Sequence, residues 1–185
     1  MKLFVGLGNP EIKFSQNRHN AGSMAIDALI PVMNKMYKRK AGFSQKFLQS
    51  TVFDYRPVAV LAKPMKFMND SGISVKKLVD AYKLDPKDLY IIHDDLDIAV
   101  GDYKIQFAKG PKVHNGIKSI EEELGTNQFW RIRVGIENRD PEHRTKGEDY
   151  VLEDFTDEEK RIIKWVIHKL THEELFEDLR YSDKF

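Results

Sequence analysis

A chain of 185 residues, 41% of them hydrophobic and 32% charged, has apolar side chains enough for one core and lacks the bias of disordered or fibrous sequences. It contains no cysteine, which excludes disulfides, thiolate metal sites and cysteine nucleophiles, so its chemistry must rest on nitrogen and oxygen groups. The formal net charge of +1 excludes little, but no apolar run approaches the length of a membrane span.

The N-terminal apolar run is too short for a signal-peptide core, so a cytoplasmic location is expected. Without repeats, low-complexity tracts or linkers, residues 1–185 are expected to form one domain. Strand-like runs fall at 3–6, 47–53, 58–62, 89–93, 103–107 and 132–136, and the stretch 47–62 reads as a hairpin. Between them lie helical stripes. Ala21, Ala25, Ala28, Leu29 and Val32 share one face, behind an expected Asn20 cap, with Pro31 expected to kink or divide the helix. Val75, Leu78, Val79 and Tyr82 form a second stripe. Ile117, Ile120 and Leu124 form a third, closed by Gly125. Thr156 and Glu159 have capping-box spacing ahead of Ile162, Ile163, Val166, Ile167 and Leu170. Strands alternating with helices predict an α/β fold, with a mixed sheet because of the hairpin.

Charge is unevenly distributed. Lys104, Lys109, Lys112, Lys118, Arg131, Arg133, Arg139, Arg144 and Lys146 precede an acidic C-terminal stretch that runs from Glu153 to Asp178. That asymmetry fits either a basic face for phosphate or ordinary solvated charge.

Four segments place polar groups where a strand or loop runs into a helix, the edge at which open α/β sheets bind ligands. The first is Asn9 with Asn17-Arg18-His19-Asn20, the second Phe67-Met68-Asn69. The third is His93-Asp94-Asp95-Leu96-Asp97 and the fourth His114-Asn115-Gly116. Asn69 fits either a helix cap or an amide that holds a substrate carbonyl or a water. Alternation along an extended segment sends Asp94 away from His93 and Asp95, which argues against a metal cage in that segment. His168 and His172 are spaced to share a helix face but lack a third ligand in register. Gly6-Leu7-Gly8 lacks the third glycine of a dinucleotide fingerprint, the P-loop pattern is missing, and no Gly-x-Ser-x-Gly elbow occurs. What remains is a histidine, a carboxylate and several asparagines, a set suited to general-base activation of water on an activated ester.

The same segments, in the same order, resemble the bacterial-type peptidyl-tRNA hydrolase family. The likeness is carried by Gly6-Leu7-Gly8-Asn9-Pro10, Arg18-His19-Asn20-Ala21-Gly22, Phe67-Met68-Asn69-x-Ser71-Gly72, His93-Asp94-Asp95-Leu96-Asp97, His114-Asn115-Gly116, Arg131-x-Arg133-x-Gly135 and Val151-Leu152-x-x-Phe155. It implies one twisted mixed β-sheet flanked by helices, in a monomer that needs no metal or other cofactor. The substrate it implies is peptidyl-tRNA, held by its acceptor stem and its peptide. His19 would be the base and Asp94 its orienting carboxylate. Asn9, Asn69 and Asn115 would hold the peptide amides, the water and the ester carbonyl, with Phe14, Phe67, Met68 and His114 also in the substrate site. Lys104, Lys112, Arg131 and Arg133 would grip the tRNA. An alternative is a relative with impaired catalysis that binds RNA. The chain departs from the family at Ala108-Lys109-Gly110-Pro111-Lys112-Val113, where glycines are usual and Pro111 and Val113 add stiffness and bulk. Phe14 replaces a usual tyrosine, and Asn17 and Lys66 stand where threonine is common. None of these departures removes a proposed catalytic group.

Overall fold

The opening apolar run Leu3-Phe4-Val5 is buried on both sides, as a central parallel strand requires. In a computed structural model, which describes residues 1–38 and 42–174, it forms β1 (Lys2–Gly6) at the middle of a seven-stranded sheet. The other strands are β2 (Gly42–Phe47), β3 (Ser50–Tyr55), β4 (Ala59–Pro64), β5 (Leu89–Ala99), β6 (Tyr103–Phe107) and β7 (Trp130–Glu137). Their order across the sheet is β2-β3-β4-β1-β5-β7-β6. The core β4-β1-β5-β7 is parallel, while β2, β3 and β6 pair antiparallel at the margins. The expected mixed α/β sheet is therefore present.

Alternation along β1 divides the core in two. Phe4 packs with α1 (Ala21–Met36) and α5 (Asp157–Lys169), whereas Leu3 and Val5 face α2 (Ser71–Tyr82) and α3 (Asn115–Leu124). Helices thus cover both faces, and only the strand ends remain for function. No helix among the described residues is long and apolar enough to cross a membrane.

Several local expectations change. Helix α1 runs through Pro31 without dividing, because Pro31 lies on the exposed side. There the carbonyl that loses its N–H partner can turn to water. The run at 47–53 is split by Leu48 and Gln49, both left-handed at φ 50° and 62°, so it supplies two antiparallel strands rather than one. A short helix, α4 (Gly147–Tyr150), precedes the one expected after Thr156. The capping box is formed: Thr156 Oγ1 accepts from the Glu159 N–H at 3.2 Å, and Glu159 Oε2 from the Thr156 N–H at 2.8 Å. Replacing Thr156 with alanine is expected to cost about 1 kcal/mol of unfolding free energy, read from urea denaturation with an unchanged m-value. The acidic stretch beyond residue 174 lies outside the described residues.

Candidate active site

Strand β1 and its parallel neighbour β5 carry the groups that matter. The turn Arg18–Asn20 follows β1 and opens α1, and its His19 N–H is held by the Val151 carbonyl at 2.9 Å. Asp94 lies on β5, two residues beyond the last register partner of β1. His19 Nδ1 sits 2.9 Å from each of the two Asp94 oxygens. A carboxylate accepts only, so the proton belongs on Nδ1 and the lone pair on Nε2. Nε2 has no partner among the described residues, and the ring lines a depression of about 290 Å³. Leu96, Val113, His114, Asn115, Gly147, Glu148 and Val151 complete its walls.

Burial alone would lower the His19 pKa, but the charge of Asp94 and its hydrogen bond outweigh that and raise it above the ordinary 6.5. Asp94 is itself fully buried, which would favour its neutral form. The imidazoles of His19 and His114 reverse this and hold the carboxyl well below the usual carboxylate range. It therefore stays ionised and fixes the orientation of the ring throughout the physiological range.

His114 is tied at both ends. Its Nδ1 accepts from the Gly116 and Ile117 N–H groups at 3.1 and 3.2 Å, capping α3, and its Nε2 lies 3.0 Å from Asp94 Oδ1. The backbone donors leave only Nε2 to carry the proton, so His114 is a neutral donor to Asp94 whose side chain is 3% exposed. Its ring nitrogens are thus occupied inside the protein, while the residue also lines the His19 depression.

His19, Asp94 and His114 bring one ligand atom each within 4.8 Å of one another, a spacing open to a cation. The tautomers oppose it. A metal-bound histidine normally donates its other N–H to an acceptor, whereas His114 Nδ1 faces two N–H donors. The donor set fits a proton-transfer site.

The asparagines serve unequal purposes. Asn20 makes no capping bond. Its amide instead clamps Asn9, with Oδ1 accepting from the Asn9 N–H at 2.9 Å and Nδ2 donating to the Asn9 carbonyl at 3.0 Å. A Cβ on Gly8 would approach the Asn20 amide to 2.9 Å, so glycine is needed beneath this clamp. Asn9 Oδ1 accepts from the Met68 N–H at 3.0 Å, which leaves the Asn9 NH₂ as the group still able to bind a ligand. Asn69 and Asn115 are exposed, Asn115 on the wall of the His19 depression. Asn69 caps no helix by its side chain, since the cap position of α2 is Asp70. Met68 is buried and Phe67 half exposed, while Phe14 lies beneath the Lys13 ammonium at 4.8 Å.

The basic candidates divide. Lys104 is exposed on the edge strand β6. Lys112 is exposed, but its N–H donates to Asp97 Oδ2 at 3.0 Å and its ammonium lies 3.5 Å from Oδ1. Arg131 and Arg133 require correction as surface grips, because both are buried in ion pairs. Arg131 bonds Glu121 at 2.5 Å, and Arg133 bonds Asp95 at 2.6 Å and Gln106 at 2.7 Å. Alternation on β7, which sequence does reveal, turns both toward the helix- and loop-covered face; their acidic partners are visible only in three dimensions. The 108–113 segment keeps one glycine where it is needed. Gly110 has φ +68°, and a Cβ there would fall 2.4 Å from the Arg133 guanidinium. The wall formed by Gly147, Glu148 and Val151 was not foreseen, since four helical residues leave no periodic signal. His168 and His172 are exposed and stack at 4.0 Å.

An imidazole aligned by a buried carboxylate, its other nitrogen facing a depression that Asn115 also lines, is an arrangement suited to hydrolytic activation of water. The chain matches the peptidyl-tRNA hydrolase family profile over residues 3–177 and belongs to that family. It is 44% identical over 160 residues to the peptidyl-tRNA hydrolase of Geobacillus thermodenitrificans, an alignment covering 86% of this chain and 83% of the relative. With that of Desulfitobacterium hafniense it shares 37% over 169 residues, covering 91% and 88%. The structure of peptidyl-tRNA hydrolase from Acinetobacter baumannii superposes with a TM-score of 0.77 at 25% identity, over 97% of this chain and 93% of that one.

Proposed function

We propose that this chain hydrolyses the ester joining peptide to tRNA in peptidyl-tRNA, with His19 as general base and Asp94 as its orienting group. The observation that carries this reading is His19 Nδ1 lying 2.9 Å from both Asp94 oxygens while Nε2 stays free beside an open depression. Nε2 takes a proton from water as the oxygen adds to the ester carbonyl carbon. The tetrahedral oxyanion collapses, the carbon–oxygen bond to the tRNA ribose breaks, and the His19 imidazolium returns its proton to that leaving oxygen. The products are a peptide acid and free tRNA for reuse in translation. The NH₂ groups of Asn9, Asn69 and Asn115 supply donors for the oxyanion and the peptide backbone. Met68 and Phe67 would line the peptide path, and Lys104 and Lys112 would meet tRNA phosphates. A monomer acting in the cytoplasm completes the reading. Light scattering would check the monomer.

The test uses N-acetyl-aminoacyl-tRNA, with unblocked aminoacyl-tRNA as control. Release of blocked amino acid is expected, falling by about 10²- to 10⁴-fold in His19→Ala. Binding of tRNA without cleavage by the unaltered chain would overturn the catalytic reading and leave an RNA-binding protein.

A further inference from the structure

The residue before the base is a buried arginine that touches neither the depression nor any group in the chemistry above. Arg18 is 3% exposed. Its Nη2 donates to Glu159 Oε2 at 2.7 Å, its Nη1 lies 3.4 Å from Glu153 Oε2, and its guanidinium lies over the Tyr150 ring at 4.0 Å. Glu159, 2% exposed, also accepts from the Tyr150 hydroxyl at 3.2 Å and from Asn138 Nδ2 at 3.3 Å, besides serving the cap of α5. One carboxylate therefore joins the N-terminus of α5, the short helix α4 and the turn that carries His19.

The backbone repeats the connection. Residues 16–19 run antiparallel to 151–155: the Phe155 N–H donates to the Gln16 carbonyl at 3.1 Å, Arg18 to Glu153 at 3.1 Å, and His19 to Val151 at 2.9 Å. Val151 and Glu148 in turn line the His19 depression. Asp94 holds the ring of His19 from the sheet, whereas the His19 backbone N–H bonds a segment tied to α5 by the Arg18–Glu159 ion pair, the Tyr150 hydroxyl and the packing of Phe155. The catalytic pair is thus assembled from two separately supported halves.

We infer that Arg18, through its buried pair with Glu159, is a positioning residue that sets the His19 ring against Asp94 and fixes the 147–151 wall of the substrate depression. The inference rests on His19 being the general base. Loosening the strut lets the turn drift while Asp94 stays with β5. A misplacement of about 1 Å in such a site can cost about 10²-fold in rate. Drift also weakens the contact that raises the pKa of His19. The charged or titratable groups around that ring are Asp94, His114 and Glu148, and none of them is altered in the variants below.

The experiment compares Arg18→Met, Glu159→Gln and the double variant by steady-state hydrolysis across pH and by thermal unfolding, with His19→Ala alongside. Removing one partner leaves a buried charge unpaired and destabilises, while removing both relieves that penalty. The expected result is that the double variant recovers thermal stability but not kcat, which stays about 10²-fold low with its acid limb shifted downward and KM little changed. A double variant with unaltered kcat and acid limb would overturn the inference, as would activity that tracks stability across all three variants. If Arg18→Met does not fold, Glu159→Gln decides in the same way. Undiminished activity in His19→Ala would instead remove the base reading itself, a failure separable from that of the strut.

Discussion

Asp94→Asn lowers kcat/KM by about 10²- to 10⁴-fold and moves the acid limb of its pH profile downward. The two effects share one cause. In the native chain the carboxylate raises the pKa of His19 above 6.5, and only the neutral imidazole can accept a proton. Activity therefore rises with pH through a limb above 6.5. An asparagine carries no charge, so burial alone acts on the ring and its pKa falls below the ordinary value. More of the base is then neutral in mild acid, yet the rate falls, because the imidazolium formed in the transition state has lost its counter-charge and the ring its orientation. A pH–rate profile of kcat/KM for both proteins checks this. A limb that stays in place, or moves upward, would separate Asp94 from the reacting imidazole.

The second large effect concerns a residue without a side chain. A Cβ on Gly22 would lie 2.1 Å from the Ile92 carbonyl oxygen and 2.7 Å from the Leu7 nitrogen. Both are backbone atoms held in the sheet, for the Leu7 N–H donates to that same carbonyl at 2.9 Å. No rotamer change relieves such a clash, so α1 must lift off β1 and β5. Gly22→Ala is therefore expected to lose about 1–3 kcal/mol, or more since nothing near it can yield. Activity should fall further than stability implies. His19 lies three residues before Gly22 and Asp94 two residues after Ile92, so a lifted α1 carries one member of the pair away from the other. Chemical denaturation and hydrolysis on the same sample check both statements. A change within about 0.5 kcal/mol, typical of an ordinary surface site, would show that the helix accommodates the methyl group.

Regular structure was readable wherever one period dominates. Strand β6 matches its expected run at both ends, and α2, α3 and α5 carry their apolar stripes toward the core, because burial of a repeated face is a local property of the chain. Boundaries set by conformation were not legible. Leu48 and Gln49 turn the chain in the left-handed region without a glycine, and Pro31 leaves α1 intact because it faces solvent.

The candidate site follows the same division. The composition of the motifs, their order and their spacing determined the family, since these are properties of the linear chain. They also singled out His19 and Asp94 as groups able to activate water. What each group is bonded to was decided by folding alone. Contacts between residues 11 to 141 positions apart determine that Asn20 clamps Asn9 and that Arg18 meets Glu159. His114 spends its nitrogens on Asp94 and the start of α3, and Arg131 and Arg133 are buried in ion pairs. A basic residue in a motif carries the same letter whether it faces phosphate or a buried carboxylate. Its charge is a property of the residue, but the partner that uses that charge is a property of the packed sheet.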